Sequence, residues 1–326
     1  MNTNKSLERL IFTDNANNVI GVVAPSTLYY LSEGITYLNG PNKSVKLNEQ
    51  SREALIAGLT EAGSLITGDN NEASLIIKLL NDPESSRTTA HFLTTSQKCS
   101  STIEKIGSIK NSNILVIGCG GIGSTTALLL AGAGVKKLAL ADHDTIEKSN
   151  LNRQLFWRLR DIGKKKASTL KRVIEERYEK TEITCIERQL NYGEIQTLLT
   201  NENFTLAIVT ADTPIDLASR CGELARVTKT SIMSGGYLHG QCCANFFSAT
   251  DLSSNYEMAE NSNNWSRLPE SIMPSFGPTN FSIAALLSQG AIEYITTTDT
   301  SNQNSTCTQW DAREFPANFT NHTWKK

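Results

Sequence analysis

Short apolar runs and amphipathic stretches alternate over the first 81 residues of the chain. Apolar residues at 10–12 and 19–24 flank the polar, turn-forming segment 14–18, a pattern typical of a β-hairpin. Apolar residues recur with helical spacing in three segments separated by glycines: 26–31, 48–62 and 72–80. Short strands followed by helices predict a small winged-helix-like module over residues 1–81.

Residues 82–108 differ in composition from the segments on either side. They include Pro83, several serines and threonines, and few large apolar side chains. This composition predicts a linker or an extended arm between two domains.

Residues 109–326 show alternating strand and helix patterns. Continuous apolar runs predict buried strands at 114–118, 137–142, 182–186 and 206–210. The segments between and after them predict helices at 123–132, 164–180 and 215–227. Because continuous apolar strands linked by helices are typical of parallel sheets, we expect an α/β fold, a Rossmann-like mostly parallel sheet with helices on both faces.

The end of this second domain departs from the alternating pattern. Residues 241–248 predict an antiparallel strand, and residues 280–294 predict a final helix. We expect the polar stretch between them, 251–267, to be a flap over the substrate, since polar loops of that length often act as lids.

Composition narrows the classes of function. Of the 326 residues, 39% are hydrophobic and 20% are charged, as in ordinary soluble globular proteins. The net charge of -2 gives no electrostatic reason to expect nucleic acid or an anionic membrane as a partner. No apolar run approaches the ~20 residues that cross a bilayer, and the polar start lacks a signal-like apolar core. We therefore expect a cytoplasmic protein.

The seven cysteines contain no Cys-x-x-Cys pair, so we expect reduced thiols and no structural zinc. Cys242 and Cys243 are adjacent, which is not a zinc-ligand spacing, and we expect them to fill a core or an edge strand. No cysteine lies in a setting that predicts a thioester-forming nucleophile.

The segment Gly118-Cys-Gly-Gly-Ile-Gly123 follows a predicted strand and opens a predicted helix. Glycines at 118, 120, 121 and 123 permit a tight turn and let backbone N–H groups approach a phosphate at the helix N-terminus. Asp142 follows at the end of the next strand, where a carboxylate accepts hydrogen bonds from a ribose. These features alone fit a dinucleotide-dependent oxidoreductase and a nucleotidyl-transfer enzyme equally well.

Cationic residues beyond the glycine loop distinguish these alternatives. Asn150, Arg153 and Gln154 share one face if their segment is helical. Lys166 follows on a helix for which we expect Asp161 to be the N-cap. Converging cations suit nucleotidyl transfer, in which negative charge builds on phosphate and departing pyrophosphate, whereas hydride transfer has no need of them.

Asp212 ends the predicted strand 206–210, where a parallel sheet offers its ligand crevice. A carboxylate at this place can hold the Mg²⁺ that bridges ATP phosphates. The alternatives are a simple helix cap for Asp212 and surface salt bridges for Arg153 and Lys166. Lys164 and Lys165 are expected on a solvated helix face.

Five motifs together resemble the ThiF/MoeB superfamily, which includes the ubiquitin-activating enzymes: residues 118–123, Asp142-x-Asp144, Ser149-Asn-Leu-Asn-Arg-Gln154, Ile162-Gly163 with Lys166-Ala167, and Ala211-Asp212. The resemblance covers residues 105–296 and implies that 109–326 is a domain for ATP-dependent adenylation of a carboxylate. The implied nucleotide site has Asp142 on ribose, Arg153 and Lys166 on phosphates, Asn150 assisting, Asp212 on Mg²⁺, and Asp144 and Gln154 beside them. Most members that activate carrier proteins have two Cys-x-x-Cys zinc pairs, which this chain lacks.

The N-terminal layout resembles the peptide-modifying members of microcin and pantocin type. The resemblance implies that residues 1–81 bind the leader of a ribosomal precursor peptide as a strand added to a sheet edge. Homodimeric members donate an arm arginine to the partner's ATP, and Arg87 is the candidate here, with an exposed loop arginine as the alternative. The module could instead serve dimerisation or stability. Few Lys or Arg in residues 1–80 argue against DNA binding.

We therefore expect adenylation of a peptide carboxylate, followed by attack of a group of the same peptide. The missing zinc pairs favour the pantocin type, which acts on adjacent glutamates, over the microcin type. Three alternatives stay open: activation of a sulfur-carrier or ubiquitin-like protein, a tRNA-modifying dehydratase, and a non-catalytic peptide-docking protein.

Overall fold

A computed structural model describes residues 7–214, 216–251, 274–297, 303–314 and 317–323. It divides the chain into two compact units, Met1–Lys110 and Asn111–Lys326. No helix in these described ranges is long and apolar enough to cross a membrane.

The first unit contains two antiparallel three-stranded sheets, with strand orders β1-β2-β6 and β3-β4-β5. The strands are β1 (Ile11–Thr13), β2 (Val19–Val23), β3 (Leu28–Ser32), β4 (Ile35–Asn39), β5 (Ser44–Leu47) and β6 (Leu65–Thr67). The helices are α1 (Arg52–Glu61), α2 (Asn70–Asn81), α3 (Ser86–Leu93) and α4 (Cys99–Asn111), after a 3-10 turn at Glu8–Leu10.

The hairpin predicted at the start of the chain is confirmed, because β1 pairs antiparallel with β2. Asp14 fixes its turn by accepting hydrogen bonds from the N–H groups of Ala16 and Asn18 at 2.9 and 2.8 Å. The helix predicted at 26–31 is wrong, since this segment forms β3. Leu-Tyr-Tyr-Leu has apolar residues at every position, so its spacing fits either element, and aromatic residues favour a strand.

The structure also differs from the linker predicted at 82–108, because most of this segment is helical. Leu93 and Cys99 are buried in a core that includes Val22, Ile66 and Ile76. The few apolar residues of the segment fall on the inner faces of α3 and α4, which is enough to pack two helices. The winged-helix description of the module stays a prediction.

The second unit is built on an eight-stranded sheet with the order β14-β13-β12-β11-β10-β7-β8-β9. Its strands are β7 (Asn113–Ile117), β8 (Lys137–Ala141), β9 (Glu182–Ile186), β10 (Leu206–Val209), β11 (Ile232–Leu238), β12 (Gln241–Phe247), β13 (Thr306–Asp311) and β14 (Thr320–Thr323). Its helices are α5 (Gly121–Ala133), α6 (Lys166–Glu175), α7 (Tyr192–Asn201), α8 (Cys221–Thr228) and α9 (Gly277–Thr296).

Five of these strands, β11-β10-β7-β8-β9, are parallel, and the other three extend the sheet antiparallel. This confirms the predicted α/β fold with a mostly parallel sheet flanked by helices. The strands β7 and β10 are almost entirely buried, as expected for a sheet covered on both faces.

Four strands or helices in the described part of this unit were not predicted: α7, β11, β13 and β14. The start of α7 carries a capping box in which Asn191 accepts from the Glu194 N–H and Glu194 accepts from the Asn191 N–H. That pair is a sequence signal for a helix start. The predicted flap at 251–267 lies outside the described residues, apart from Asp251.

Gly123→Ala is predicted to destabilise the second unit by about 1–3 kcal/mol, because a Cβ at this position would lie 1.8 Å from the Gly118 carbonyl oxygen. Urea unfolding measures the change. Gly193→Ala in α7 is the matched control, since its Cβ would meet only the Asn191 Oδ1 at 3.5 Å. A helical glycine in open space gains up to ~1 kcal/mol on this change. Equal stabilities for both variants would contradict the prediction.

Candidate functional site

The glycine loop between β7 and α5 is folded so tightly that Gly118 and Gly121 have no room for a side chain. Gly118 has φ +93°, and a Cβ there would lie 2.7 Å from the Ala211 nitrogen. A Cβ on Gly121 would lie 2.2 Å from Nδ2 of Asn280, which is buried at the start of α9. Thr210 closes the loop from the neighbouring strand by donating to the Gly118 carbonyl at 3.0 Å.

Thr210 and Asn280 therefore shape the loop, although neither was predicted as a site residue. Thr210 directly follows strand β10. The carboxyl end of a predicted parallel strand is the sequence signal that would have identified it. Asn280 lies far along the chain, and its approach to Gly121 has no local signal.

Gly120 is different, because its surroundings are open. The nearest atom to a Cβ at Gly120 is Nε2 of Gln154, at 3.9 Å. Gly120 is also the N-cap of α5 and caps it with no side chain. No side chain caps the first N–H groups of this 13-residue helix, and Gly120, Gly121 and Ile122 line the space in front of the loop, which is an anion-binding arrangement.

That space is a cavity of about 1140 Å³ at the carboxyl ends of the parallel strands. All the predicted site residues line it except Gly123 and Arg87. Gly123 packs behind the loop against Gly118 and Thr210. Arg87 is exposed on α3 in the first unit. The cavity thus collects the predicted nucleotide-binding residues of the second unit apart from Gly123.

Asp142 ties the glycine loop to the chain segment after β8. One carboxylate oxygen accepts a hydrogen bond from the Cys119 N–H at 2.6 Å, and the other accepts from the Asp144 N–H at 2.8 Å. Burial and the charge of Asp142 raise the pKa of the Cys119 thiol well above its ordinary value, and Lys166 opposes them. Both effects disfavour the thiolate form that a cysteine nucleophile requires.

Lys166 is the first residue of α6, and its side chain is only 9% exposed. Its ammonium donates to the Asp144 carboxylate at 2.7 Å. Burial of the Asp144 carboxyl opposes ionisation, but the hydrogen bond and charge of Lys166, with the nearby His143 and Lys165, lower its pKa below the ordinary value. The site therefore holds an ion pair with its cation almost fully enclosed.

The segment expected to place Asn150, Arg153 and Gln154 on one helical face is a 3-10 turn over Lys148–Asn152. Asn150 and Gln154 are buried, and Arg153 is half-buried. The Arg153 guanidinium donates to the Ser149 carbonyl at 2.6 Å and to Asn152 Oδ1 at 3.0 Å. All three residues still line the cavity, so the turn replaces the helix without separating them.

The expectation that Asp161 caps α6 is wrong, because the N-cap is Lys165 and no side chain caps this helix. Asp161 is fully buried one turn earlier and accepts from Lys164 at 2.9 Å and from Arg172 at 3.2 Å. Lys164 is thus paired with a buried acid, and Lys165 donates to the His143 carbonyl at 2.5 Å. Neither lysine simply covers a solvated helix face.

Asp212 follows β10 and is exposed at the cavity wall. Beyond it, the cavity continues over the antiparallel strands, where Asn245, Cys243 and Gln309 contribute uncharged side chains. Asn245 Nδ2 donates to Ser234 Oγ at 3.2 Å. This polar, uncharged region was not predicted, because β11 and β13, the strands that pair with β12 on either side, were not recognised in the sequence.

A scan of protein families matches residues 100–325 to the ThiF family. Among curated proteins, the sulfur carrier protein ThiS adenylyltransferase of Escherichia coli is 37% identical over 106 residues, which are 32% of this chain and 39% of that protein. The adenylyltransferase and sulfurtransferase UBA4 of Vanderwaltozyma polyspora is 34% identical over 107 residues, 33% of this chain and 24% of that protein. The matched part thus spans well under half of these relatives.

Similar solved structures cover nearly the whole chain, and MccB and PaaA are two of them. Escherichia coli MccB, solved with MccA-N7isoASN, has a TM-score of 0.71 at 18% identity and covers 93% of this chain and 96% of its own. PaaA has a TM-score of 0.68 at 18% identity, with 92% and 99% coverage. At this identity the likeness shows a shared fold.

Asp161→Asn is predicted to destabilise the protein at pH 7 by about 1–3 kcal/mol, because it leaves Lys164 and Arg172 without their buried anion. Burial works against the charge of Asp161, but the hydrogen bond from Lys164, the backbone and Arg172 lower its pKa in the fold. The ionised acid therefore stabilises the fold above the unfolded pKa of about 3.9, and this contribution is lost as pH falls through the lower folded value.

Urea unfolding at several pH values measures the difference between variant and parent, which should shrink below pH ~4. Glu176→Gln is the control, because exposed Glu176 shares the partner Arg172 at 3.0 Å and should contribute under ~1 kcal/mol. A difference that does not change with pH would exclude the ionised carboxylate as its cause.

Proposed function

Because the chain belongs to the ThiF family, we propose that it is an ATP-dependent adenylyltransferase that activates a carboxylate of a ribosomally made precursor peptide. The observation that carries this proposal is that the helix N-terminus at Gly120, the cations Arg153 and Lys166, and several carboxylates line one cavity. Such a site suits a polyphosphate whose charge increases as pyrophosphate leaves.

The residues present fit ATP. The N–H groups at the start of α5 can donate hydrogen bonds to phosphate oxygens, and the open side of Gly120 leaves room for a phosphate group. Lys166 and Arg153 supply positive charge beside this position, and Asn150 lines the same wall. Asp142 can accept from a ribose hydroxyl, since a carboxylate has about four acceptor positions and only two bonds to it are seen here.

Asp212 is the proposed ligand of Mg²⁺, which neutralises phosphate charge when it is bound. Its exposed carboxylate at the carboxyl end of β10 has the oxygen chemistry that Mg²⁺ prefers. The absence of Cys-x-x-Cys pairs supports a site that works without structural zinc.

In the proposed reaction, an oxygen of the peptide carboxylate attacks the α-phosphorus of ATP, and the bond from that phosphorus to the bridging oxygen breaks. Lys166 and Arg153 stabilise the departing pyrophosphate. A group of the same peptide then attacks the activated acyl carbon and releases AMP. The uncharged wall of Asn245, Cys243 and Gln309 suits a neutral part of that peptide.

The first unit is proposed to bind the leader of the peptide. The fold likeness to MccB, which was solved with MccA, supports a peptide substrate. Strand β3 pairs with β4 alone in its described sheet and presents four exposed apolar residues, Leu28 to Leu31, of which Tyr29 is 80% exposed. An unpaired apolar edge is a surface to which an extended peptide can add as a strand.

We further propose a homodimer in which Arg87 of one protomer serves the nucleotide site of the other. Its support is the exposed position of Arg87 on α3, together with the resemblance described above. A dimer with this role would place a third cation at the phosphates.

A second candidate function is activation of a sulfur-carrier protein. The 37% identity to the ThiS adenylyltransferase favours it, whereas the missing zinc pairs favour a peptide. Pyrophosphate exchange measured with candidate peptides and with a small carrier protein ending in Gly-Gly separates the two. Binding of a peptide without any ATP binding would instead indicate a docking protein.

Lys166→Ala is predicted to reduce ATP–pyrophosphate exchange by at least ~100-fold, because it removes the enclosed cation from the phosphate site. Radiolabelled pyrophosphate incorporation measures the rate. Lys137→Ala is the control, since Lys137 is exposed at the opposite end of β8. Exchange at the parent rate would refute the role given to Lys166.

Tyr29→Lys is predicted to weaken leader binding by at least ~10-fold without loss of fold, because a charge then lies on the exposed β3 edge. The affinity for the leader is measured by calorimetry. The probes are synthetic copies of short peptides that are encoded beside the gene for this chain. Leu75→Lys, an exposed apolar position on α2, is the matched control. If both variants bind the peptide like the parent, the leader binds elsewhere.

A further inference from the structure

Lys166 occupies an unfavourable position for a cation. It is the first residue of α6, where the helix carries partial positive charge, and its side chain is nearly buried. An enclosed ammonium is costly unless a carboxylate or several acceptors compensate it. In the described part of the chain, Asp144 provides the carboxylate, at 2.7 Å.

Asp144 is itself fixed through its backbone. Its N–H donates to Asp142 at 2.8 Å, and its carbonyl accepts from the Lys166 N–H at 3.0 Å. The next residues continue the contact, since the Ile146 N–H donates to the Lys164 carbonyl and the Gly163 N–H to the Ile146 carbonyl, both at 2.8 Å. Both partners of the ion pair are therefore held on backbone segments that are bonded to each other.

The Asp144 carboxylate is half exposed at the cavity, so an alternative role must be considered. The ligand atoms of Asp142, His143 and Asp144 lie within 4.8 Å of one another, which would allow a direct role in holding a cation. However, Asp142 is bonded to two backbone N–H groups and Asp144 to Lys166. A cation held by Asp144 would therefore compete with the Lys166 ammonium for the same carboxylate.

We infer that Asp144 is a positioning residue, which holds the Lys166 ammonium toward the phosphate site and does not itself contact the nucleotide or its metal. This inference rests on the proposed function. A lysine ammonium has three N–H donors, so Lys166 can keep its bond to Asp144 while it donates another to a phosphate oxygen. Asp144 also compensates the cation when no nucleotide is bound.

The test is a double-mutant cycle on the full chain with Asp144→Ala, Lys166→Ala and both together. ATP affinity is measured by calorimetry in the presence of Mg²⁺, and thermal melting checks the fold. We expect Asp144→Ala to weaken ATP binding about tenfold. The double variant should bind like Lys166→Ala alone, within about twofold, because Asp144 acts through the lysine. Glu182→Ala, an exposed acid at the start of β9, should bind ATP like the parent.

A second readout needs no nucleotide. Reductive methylation followed by mass spectrometry measures how fast Lys166 is modified, and Asp144→Ala should raise that rate about tenfold by releasing the side chain. Asp144→Asn should be intermediate in both measurements, since an amide oxygen still accepts the hydrogen bond.

Several outcomes would overturn the inference. An additive loss of ATP affinity in the double variant would mean that Asp144 contacts the nucleotide. A higher Mg²⁺ requirement caused by Asp144→Ala in the Lys166→Ala background would make it a metal ligand. An unchanged methylation rate of Lys166 would show that Asp144 does not hold it. If the parent binds no ATP, the proposed function fails, and the methylation rate still decides whether Asp144 positions the lysine.

Discussion

The enclosed ammonium of Lys166 is the electrostatic constraint on which the site depends. A charge so poorly solvated at a helix N-terminus requires an anion, and the anion comes from the segment after β8. The same segment holds the glycine loop through Asp142. Three chain segments that are separate in sequence are therefore linked through two neighbouring acids, so that the shape of the proposed phosphate site and its charge are set together.

Much of the second unit could be predicted from the sequence because its signals are local. Continuous apolar runs identify the buried strands, and a glycine loop between a strand and a helix has a narrow structural meaning. The partnership of Asp144 with Lys166 has no such signal, since 22 residues separate them. Likewise, the packing of Asn280 against Gly121 depends on the tertiary structure. The sequence therefore predicts which residues line the site better than how they contact each other.

The wrong predictions also have a physical cause, because each concerns a feature that tertiary contacts decide. Leu28-Tyr-Tyr-Leu is apolar throughout, so no periodicity distinguishes helix from strand. The segment 82–108 is poor in large apolar residues, yet Leu93 and Cys99 are completely buried, and a few such contacts are enough to order two helices. Asp161 precedes a helix in sequence, as a cap would, but its burial between Lys164 and Arg172 gives it a different role.

The edge of β3, which has no partner strand among the described residues, also has a consequence for handling the isolated protein. The outer strand β5 carries Lys46, a residue type that discourages further strand pairing, whereas β3 has no charged residue or proline. When no peptide is paired with it, β3 is open to other chains that can extend the sheet. Concentrated solutions of the protein should therefore aggregate more readily than its acidic net charge suggests. A short strand-forming ligand that covers this edge should prevent the aggregation.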